Sequence, residues 1–280
     1  MTDERAITIV GPGVMAEAIL SRLLGRGGLE ASRVLVSGPR QDRLQQLHER
    51  YGVRTTTVNR EGVQGASLVA LTVKPQTLPE VLRDLKGGIP ADALVLSIVA
   101  GAPLAGIVEG LEHRSVVRAM PNTPAQVGAG ITVWMATQQV SDTQRQQARS
   151  VLSALGQEIE VDEEDYLDMA TALSGTGPSY VYLFMEAMID AGVHMGFPRR
   201  IAEQLVLETI RGSLLYYERS PSHPARLRNQ VTSPGGTSAE ALYYLEKAGF
   251  RTALARAIWA AYERSVELGR GKKRGSGEAS

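Results

Sequence analysis

Three glycine-rich segments of this 280-residue sequence combine backbone freedom with groups that can bind anions or guide a proton. The first is Gly11-Pro12-Gly13-Val14-Met15-Ala16, a G-x-G-x-x-A pattern set between a short apolar run and a helical run. Gly11 permits a tight turn. Gly13 lacks a Cβ, so a pyrophosphate can approach the backbone, and Ala16 lets helix and strand pack closely. The helix that opens at Val14 and Met15 offers free N–H groups and positive potential to phosphates. A glycine-rich turn can also be purely structural, but its place near residue 10, between strand and helix, favours a dinucleotide.

About 20 residues beyond the glycines, an NAD-selective site places Asp or Glu on the ribose diol. Here the second strand ends at Val36-Ser37-Gly38-Pro39-Arg40, with Arg43 further on. A hydroxyl and two cations suit a 2′-phosphate, which points to NADPH, with NADH as the alternative. The competing reading makes Arg40 and Arg43 solvated helix residues. Val73-Lys74-Pro75-Gln76 and Ser97-Ile98-Val99-Ala100-Gly101-Ala102 end two further buried strands, the edge where open α/β sheets bind ligands. Lys74 faces either cofactor or solvent, and Pro75 is also explained as the start of a helix.

The other two glycine-rich segments and one further stretch carry little packing logic: Met120-Pro121-Asn122-Thr123-Pro124, Ser174-Gly175-Thr176-Gly177-Pro178-Ser179-Tyr180 and Thr232-Ser233-Pro234-Gly235-Gly236-Thr237-Ser238. The last precedes a helix, and its two glycines and two hydroxyls form an anion pocket fit for a substrate carboxylate. Ordinary capping competes with that reading, since Thr237 with Glu240 has the spacing of a capping box.

Short apolar runs at 6–10, 34–36, 68–73, 94–99, 116–119, 131–135 and 158–161 alternate with helical patterns at 14–24, 41–51 and 138–155. That texture implies a mostly parallel sheet. After about Asp162 the strand patterns stop and helical runs follow at 166–173, 178–195, 198–218, 238–247 and 252–268. The expected division is a dinucleotide domain over 1–162, a helical domain over 163–270 and a disordered tail over 271–280. Ile201, Leu205, Val206, Leu207, Ile210, Leu214 and Leu215 spread over more than one helix face. Such a helix must be covered on several sides, which implies a homo-oligomer.

Lys+Arg and Asp+Glu both number 30 and only the tail is basic, so nucleic acid is not an expected partner. There is no cysteine for disulfides, thiolate metal sites or thiol catalysis. His48, His113, His194 and His223 lack ligand spacing, so no metal is expected, and His194 reads as a helix-end residue. No leader pattern precedes the first strand, and the longest uncharged stretch, 93–108, is too short to span a bilayer. The expected location is the cytoplasm. Trp134 and Trp259 read as core, Tyr180 as pocket or core, and the acidic run 162–165 as charge at a helix start.

The ordered set of Gly11–Ala16, Val73-Lys74-Pro75, Met120-Pro121-Asn122-Thr123-Pro124, Ser174–Tyr180 and Ser233-Pro234-Gly235-Gly236-Thr237-Ser238 resembles the pyrroline-5-carboxylate reductases over nearly all of residues 5–268. The resemblance implies an α/β chain: an N-terminal Rossmann domain plus an all-α C-terminal dimerisation domain, giving a homodimer that can assemble into a decamer. It implies that Asn59 and the residues after the second strand touch the adenosine end, that Val73, Lys74, Pro75 and Ala100 lie near the nicotinamide, and that Ser233, Gly235, Gly236, Thr237 and Ser238 hold the substrate. Pro12 and Val14 depart from the family's usual turn residues. Ser238 stands where the family has Thr or Ser.

Between Lys86 and Lys272 the sole lysine is Lys247, and the 180–186 segment has none, unlike the corresponding helix of related hydroxyacid dehydrogenases. Carbonyl reduction needs an acid for the forming alkoxide. A cyclic imine can enter protonated, so the site need only orient the reactants and exclude water. In the expected reaction hydride reaches C2 of the C=N bond, the N–H groups of Gly236, Thr237 and Ser238 bind the carboxylate, and the Ser238 hydroxyl serves the ring nitrogen. Another two-domain imine or hydroxyacid reductase and a non-catalytic dinucleotide sensor are the rivals. The missing lysine speaks against the hydroxyacid branch of the first and the second anion pocket against the other.

Overall fold

Runs such as Ala66–Leu71, buried at every position, can only be strands covered on both faces, and the chain places them in one eight-stranded sheet. The computed structural model describes residues 6–25 and 29–269. The expected tail at 271–280 lies outside the described residues. In chain order the strands are β1 (Ala6–Val10), β2 (Val34–Ser37), β3 (Arg54–Thr56), β4 (Ala66–Leu71), β5 (Leu94–Ser97), β6 (Val116–Met120), β7 (Gly130–Ala136) and β8 (Gly156–Glu160). They lie in the order β3-β2-β1-β4-β5-β6-β7-β8. All neighbours are parallel except β6 and β7. The first six follow the doubly wound order, with the switch point between β1 and β4. The expected mostly parallel sheet is present.

The helices are α1 (Val14–Gly25), α2 (Gln41–Tyr51), α3 (Asn59–Gly62), α4 (Leu78–Leu85), α5 (Leu104–Leu111), α6 (Asp142–Ala154), α7 (Asp165–Ala170), α8 (Gly177–His194), α9 (Arg199–Glu218), α10 (Pro224–Gln230), α11 (Thr237–Lys247) and α12 (Phe250–Gly269). Successive strand residues feed opposite faces. Leu68, Ala70, Leu94 and Leu96 join the core under α1, α2 and α6, whereas Val69, Leu71 and Val95 join the core under α4 and α5. Trp134 is fully buried in the first of these, as expected. The helix α6 starts later than its pattern implied, at a capping box in which Ser141 Oγ accepts from Gln144 N (3.3 Å) and Gln144 Oε1 accepts from Ser141 N (2.9 Å).

The chain folds as two compact units. The first runs up to Thr176 and resumes at Ala261; the second is Gly177–Ala260. The loss of strand texture near Asp162 thus precedes the change of unit. Residues 163–176 stay with the sheet because α7 buries Leu167 and Ala170 and pairs with Arg118 of β6. A π-helical turn, Thr171–Gly175, follows α7.

The second unit consists of helices, and its side chains are largely uncovered. Ala202 and Val206 are buried on α9, but Leu205, Leu207, Leu214 and Leu215 are exposed, as are Tyr182, Leu183 and Phe184 of α8. Trp259 is 63% exposed rather than core. Among the described residues no helix is long and apolar enough to cross a membrane.

At fixed protein concentration, Leu96→Ala should lower the unfolding free energy by about 2–5 kcal/mol and Ser141→Ala by about 1 kcal/mol. Both are read from the urea midpoint at an unchanged m-value.

Candidate active site

At the carboxyl edge of the sheet, Gly11 takes φ +104°, and its N–H donates to Ser37 O at 2.8 Å. A Cβ there would lie 2.7 Å from Val73 Cγ1 and 3.0 Å from Val73 N, so the approach of the β4 end requires glycine at this position. The demand on Gly13 is different. A Cβ at Gly13 would meet only Thr72 O, at 3.8 Å, so the protein itself leaves that space open. Val14 is exposed, and the first-turn N–H groups of Val14 and Met15 find no acceptor among the described residues. An open space bounded by unpaired helix N–H groups fits a dinucleotide pyrophosphate. The Pro12 ring, a departure from the family pattern, is accommodated by Gly38, where a Cβ would sit 2.3 Å from Pro12 Cδ.

The expected adenosine-end residues stand at the ends of β2 and β3. Ser37 is fully buried with an unpartnered Oγ. Asn59 opens α3 and donates from Nδ2 to Asp84 Oδ2 (3.0 Å), while its buried Oδ1 has no partner. Two buried polar atoms without partners at the dinucleotide edge fit a ligand that supplies hydroxyl or phosphate groups. Arg40 is exposed, and no ion pair holds its guanidinium among the described residues. Arg43, expected beside it as a second phosphate cation, is committed elsewhere. Its Nη2 pairs closely with Glu17, its Nε donates to Pro12 O (3.3 Å) and its Nη1 to Gln46 (3.2 Å).

Lys74 is exposed. Pro75 does not begin a helix: Lys74 O and Pro75 O accept from Thr77 N and Leu78 N in a turn, and α4 starts at Leu78 with Pro79 in its first turn. Ala100 lies half-buried in the loop after β5. His48 and His113 each set a ring nitrogen 2.8 Å from a backbone carbonyl, and His194 ends α8.

Sequence reasoning missed Thr72, Glu17 and the part played by Asn122. Thr72 Oγ1 lies 2.7 Å from Gly11 O and 3.0 Å from Val10 O, so its hydroxyl ties the β4 end to the turn. Glu17 of α1 accepts from Arg43, Arg50 (2.7 Å) and Tyr51 (3.0 Å), joining α1 to α2 behind the phosphate space. Its i+4 position after Gly13 is visible in the sequence, but nothing local shows that three donors from α2 converge on it. Asn122 donates from Nδ2 to Ser174 O (3.2 Å) and accepts from Ile131 N (3.0 Å), so it clasps the 120–124 segment to the π-helical turn.

In the second unit, Gly235 takes φ +71° and Gly236 is the N-cap of α11. The expected Thr237–Glu240 capping box is not formed, because Thr237 is already the first helical residue and no side chain caps this end. Gly236 N–H donates to Ser233 O at 3.0 Å, so it is closed to a ligand in this turn. The N–H groups and hydroxyls of Thr237 and Ser238 have no partner among the described residues, which leaves two backbone and two side-chain donors for a small anion. Tyr180 lines an apolar groove of about 670 Å³ with Phe184, Ile210, Phe250, Leu254 and Ala257.

Residues 164–268 match the family model for pyrroline-5-carboxylate reductase dimerisation, and residues 6–101 match that for NADP oxidoreductase coenzyme F420-dependent proteins. The chain is 43% identical over 262 residues to a pyrroline-5-carboxylate reductase of Synechocystis sp., covering 94% of this chain and 97% of that one. It is 35% identical over 266 residues to that of Escherichia coli, covering 95% and 98%. The crystal structure of Plasmodium falciparum pyrroline carboxylate reductase with NADP bound is similar at a TM-score of 0.89 and 30% identity, covering 96% of this chain and all of that one.

The Arg43 guanidinium holds the Glu17 carboxyl below its ordinary value of 4.5, against the effect of burial, with help from Tyr51 and Arg50. A lowered folded-state value means stability that is present above the unfolded value and lost as pH falls through the folded one. Glu17→Gln should therefore be less stable than wild type at pH 7. The gap should close as the pH is taken below 4.5, measured by urea midpoints across that range.

Proposed function

This chain belongs to the pyrroline-5-carboxylate reductase family, and from that premise we propose that it reduces the cyclic imine L-1-pyrroline-5-carboxylate to L-proline with NADPH, the last step of proline biosynthesis. The observation that carries the reading is the start of α11: two unpaired N–H groups and two unpaired hydroxyls, on Thr237 and Ser238, in a chain whose other glycine turn is open to a pyrophosphate.

The reduced dinucleotide supplies a hydride when bound. The chain's residues do the rest. Gly11, Pro12, Gly13, Val14 and Met15 form the turn that receives the pyrophosphate, the last two through their N–H groups. Ser37 and Asn59 receive the adenosine ribose through their unpartnered buried oxygens, and Arg40, with no competing carboxylate, meets the 2′-phosphate. Val73, Lys74, Pro75 and Ala100 flank the nicotinamide end, a reading taken from the family resemblance and supported by their place at the carboxyl edge of β4 and β5. Ser233, Gly235 and Gly236 shape the substrate turn. The Thr237 and Ser238 N–H groups take the carboxylate, which the positive end of α11 also favours.

Ser238 is the proposed catalytic residue, with its hydroxyl at the ring nitrogen. A protonated imine that accepts hydride at C2 becomes a neutral secondary amine, so no buried acid has to neutralise an alkoxide. Orientation and exclusion of water supply the rate. The exposed apolar faces of α8 and α9 support assembly through the helical unit, Gly177–Ala260, as a homodimer, with dimers joined further into a decamer in the cytoplasm.

Oxidation of NADPH, followed with and without pyrroline-5-carboxylate, tests the reaction; no substrate-dependent rate would refute it. Ser238→Ala should lower kcat by roughly ten- to a hundredfold with the NADPH Kd unchanged. Arg40→Ala should weaken NADPH about tenfold, through loss of one charge-assisted bond, and leave NADH unaffected.

A further inference from the structure

The loop after β5 has few bonds of its own. Ile98 N–H reaches Leu71 O (3.1 Å) and Ala102 N–H reaches Val99 O (3.4 Å), but the N–H groups of Ala100 and Gly101 find no acceptor among the described residues. The helix that follows, α5, has Pro103 as its N-cap, with no side-chain cap of its own. Whatever fixes residues 98–103 must come from elsewhere in the fold.

It comes from Arg118. This residue sits on β6 beside Ser97, the last residue of β5, and its side chain is 5% exposed. Nη1 donates to Glu164 Oε1 (2.7 Å) and Nη2 to Asp168 Oδ1 (3.0 Å). Both oxygens are shared. Glu164 Oε1 also accepts from Leu104 N (2.7 Å), so it caps α5 from 60 residues away. Asp168 Oδ1 also accepts from the Ser265 hydroxyl (2.7 Å), which seats the last part of α12. That part of α12 lies on the loop: a Cβ on Gly101 would fall 2.9 Å from Leu268 Cβ and 3.4 Å from Ser265 O. The loop is therefore held at Leu104 by one carboxylate and pressed at Gly101 by a helix that the other carboxylate secures.

We propose that Arg118 is a positioning residue for hydride transfer, which acts through Glu164, Asp168 and Ser265 to fix the 98–103 loop against the nicotinamide. The inference rests on the proposed reading that Ala100 lines the nicotinamide, which the family resemblance implies and the place of this loop at the carboxyl edge supports. A buried guanidinium that loses a partner is strongly unfavourable, so the cluster has one arrangement or none. Apolar packing could join β6 to α7 as firmly. What the shared oxygens add is a fixed geometry at two points of one loop.

Four variants of the full-length enzyme test it. Ser265→Ala removes one hydroxyl and leaves the Arg118 pairs. Glu164→Gln keeps an acceptor for Leu104 N–H and removes the charge. Ala100→Leu tests the loop reading on its own. If the proposal holds, Ser265→Ala and Glu164→Gln lower kcat and the single-turnover rate of NADPH oxidation about ten- to a hundredfold, the scale of a misplacement near 1 Å. The NADPH Kd stays within about twofold, since the pyrophosphate turn is untouched, and the loss exceeds what the shift in Tm explains. Arg118→Lys, which cannot reach both carboxylates as a fork, should show the same split. If Ala100→Leu is impaired while Ser265→Ala and Glu164→Gln turn over normally, or lose rate only in step with Tm, Arg118 is structural and the proposal is wrong. If Ala100→Leu is itself unimpaired, the loop does not face the nicotinamide and both readings fall.

Discussion

A parallel sheet brings the last residues of its strands to one edge, and in this chain a close crossing on that edge is where Val73 passes Gly11. No side chain fits there, and the left-handed φ of Gly11 turns the chain so that the next residues open α1 with their N–H groups outward. Thr72 locks the crossing with its hydroxyl, and the Arg43–Glu17 pair braces the Pro12 carbonyl from behind. Gly13, by contrast, is surrounded by free space. One glycine is explained by the protein and the other by what the protein leaves room for.

The sheet is readable because parallel strands are buried on both faces and appear as unbroken apolar runs. The strand β3 gives no such signal, because Arg-Thr-Thr at a sheet edge has no apolar run. The helix α10 gives none either, because its seven residues are too few for a period to show. At the site, local patterns identify the turns correctly and their bonding less well. Thr237 and Glu240 have capping-box spacing, yet the N-cap falls one residue early for it, on Gly236, whose N–H closes back on Ser233. Arg43 reads as a phosphate ligand in the sequence, and only the fold brings its carboxylate partner, 26 positions away, beside it. The acidic run at 162–165 does stand at the start of α7, as its charge pattern reads, but nothing local shows that Glu164 also caps α5. For Arg43 and Glu164 the partner is distant in sequence, which spacing alone cannot reveal.

The helical unit shows the same lesson in its apolar residues. The pattern along α9 is too broad for one face, and the exposed Leu205, Leu207, Leu214 and Leu215 make that excess visible. Trp259 differs from its sequence reading in the same way: an isolated aromatic suggests a core, but 63% of it is exposed. A family whose second half is defined by dimerisation accounts for the surplus.

The imported cap on α5 also bears on how the chain is built at the ribosome. When β6 has been made, its guanidinium has no carboxylate to meet until another 46 residues have emerged, and Asp168 in turn waits 97 more for the hydroxyl that completes it. Until Glu164 and Asp168 emerge, β6 carries a cation without its carboxylates. A fragment cut where the strands stop, at Glu160, lacks both of them and keeps that guanidinium without the partners it has here.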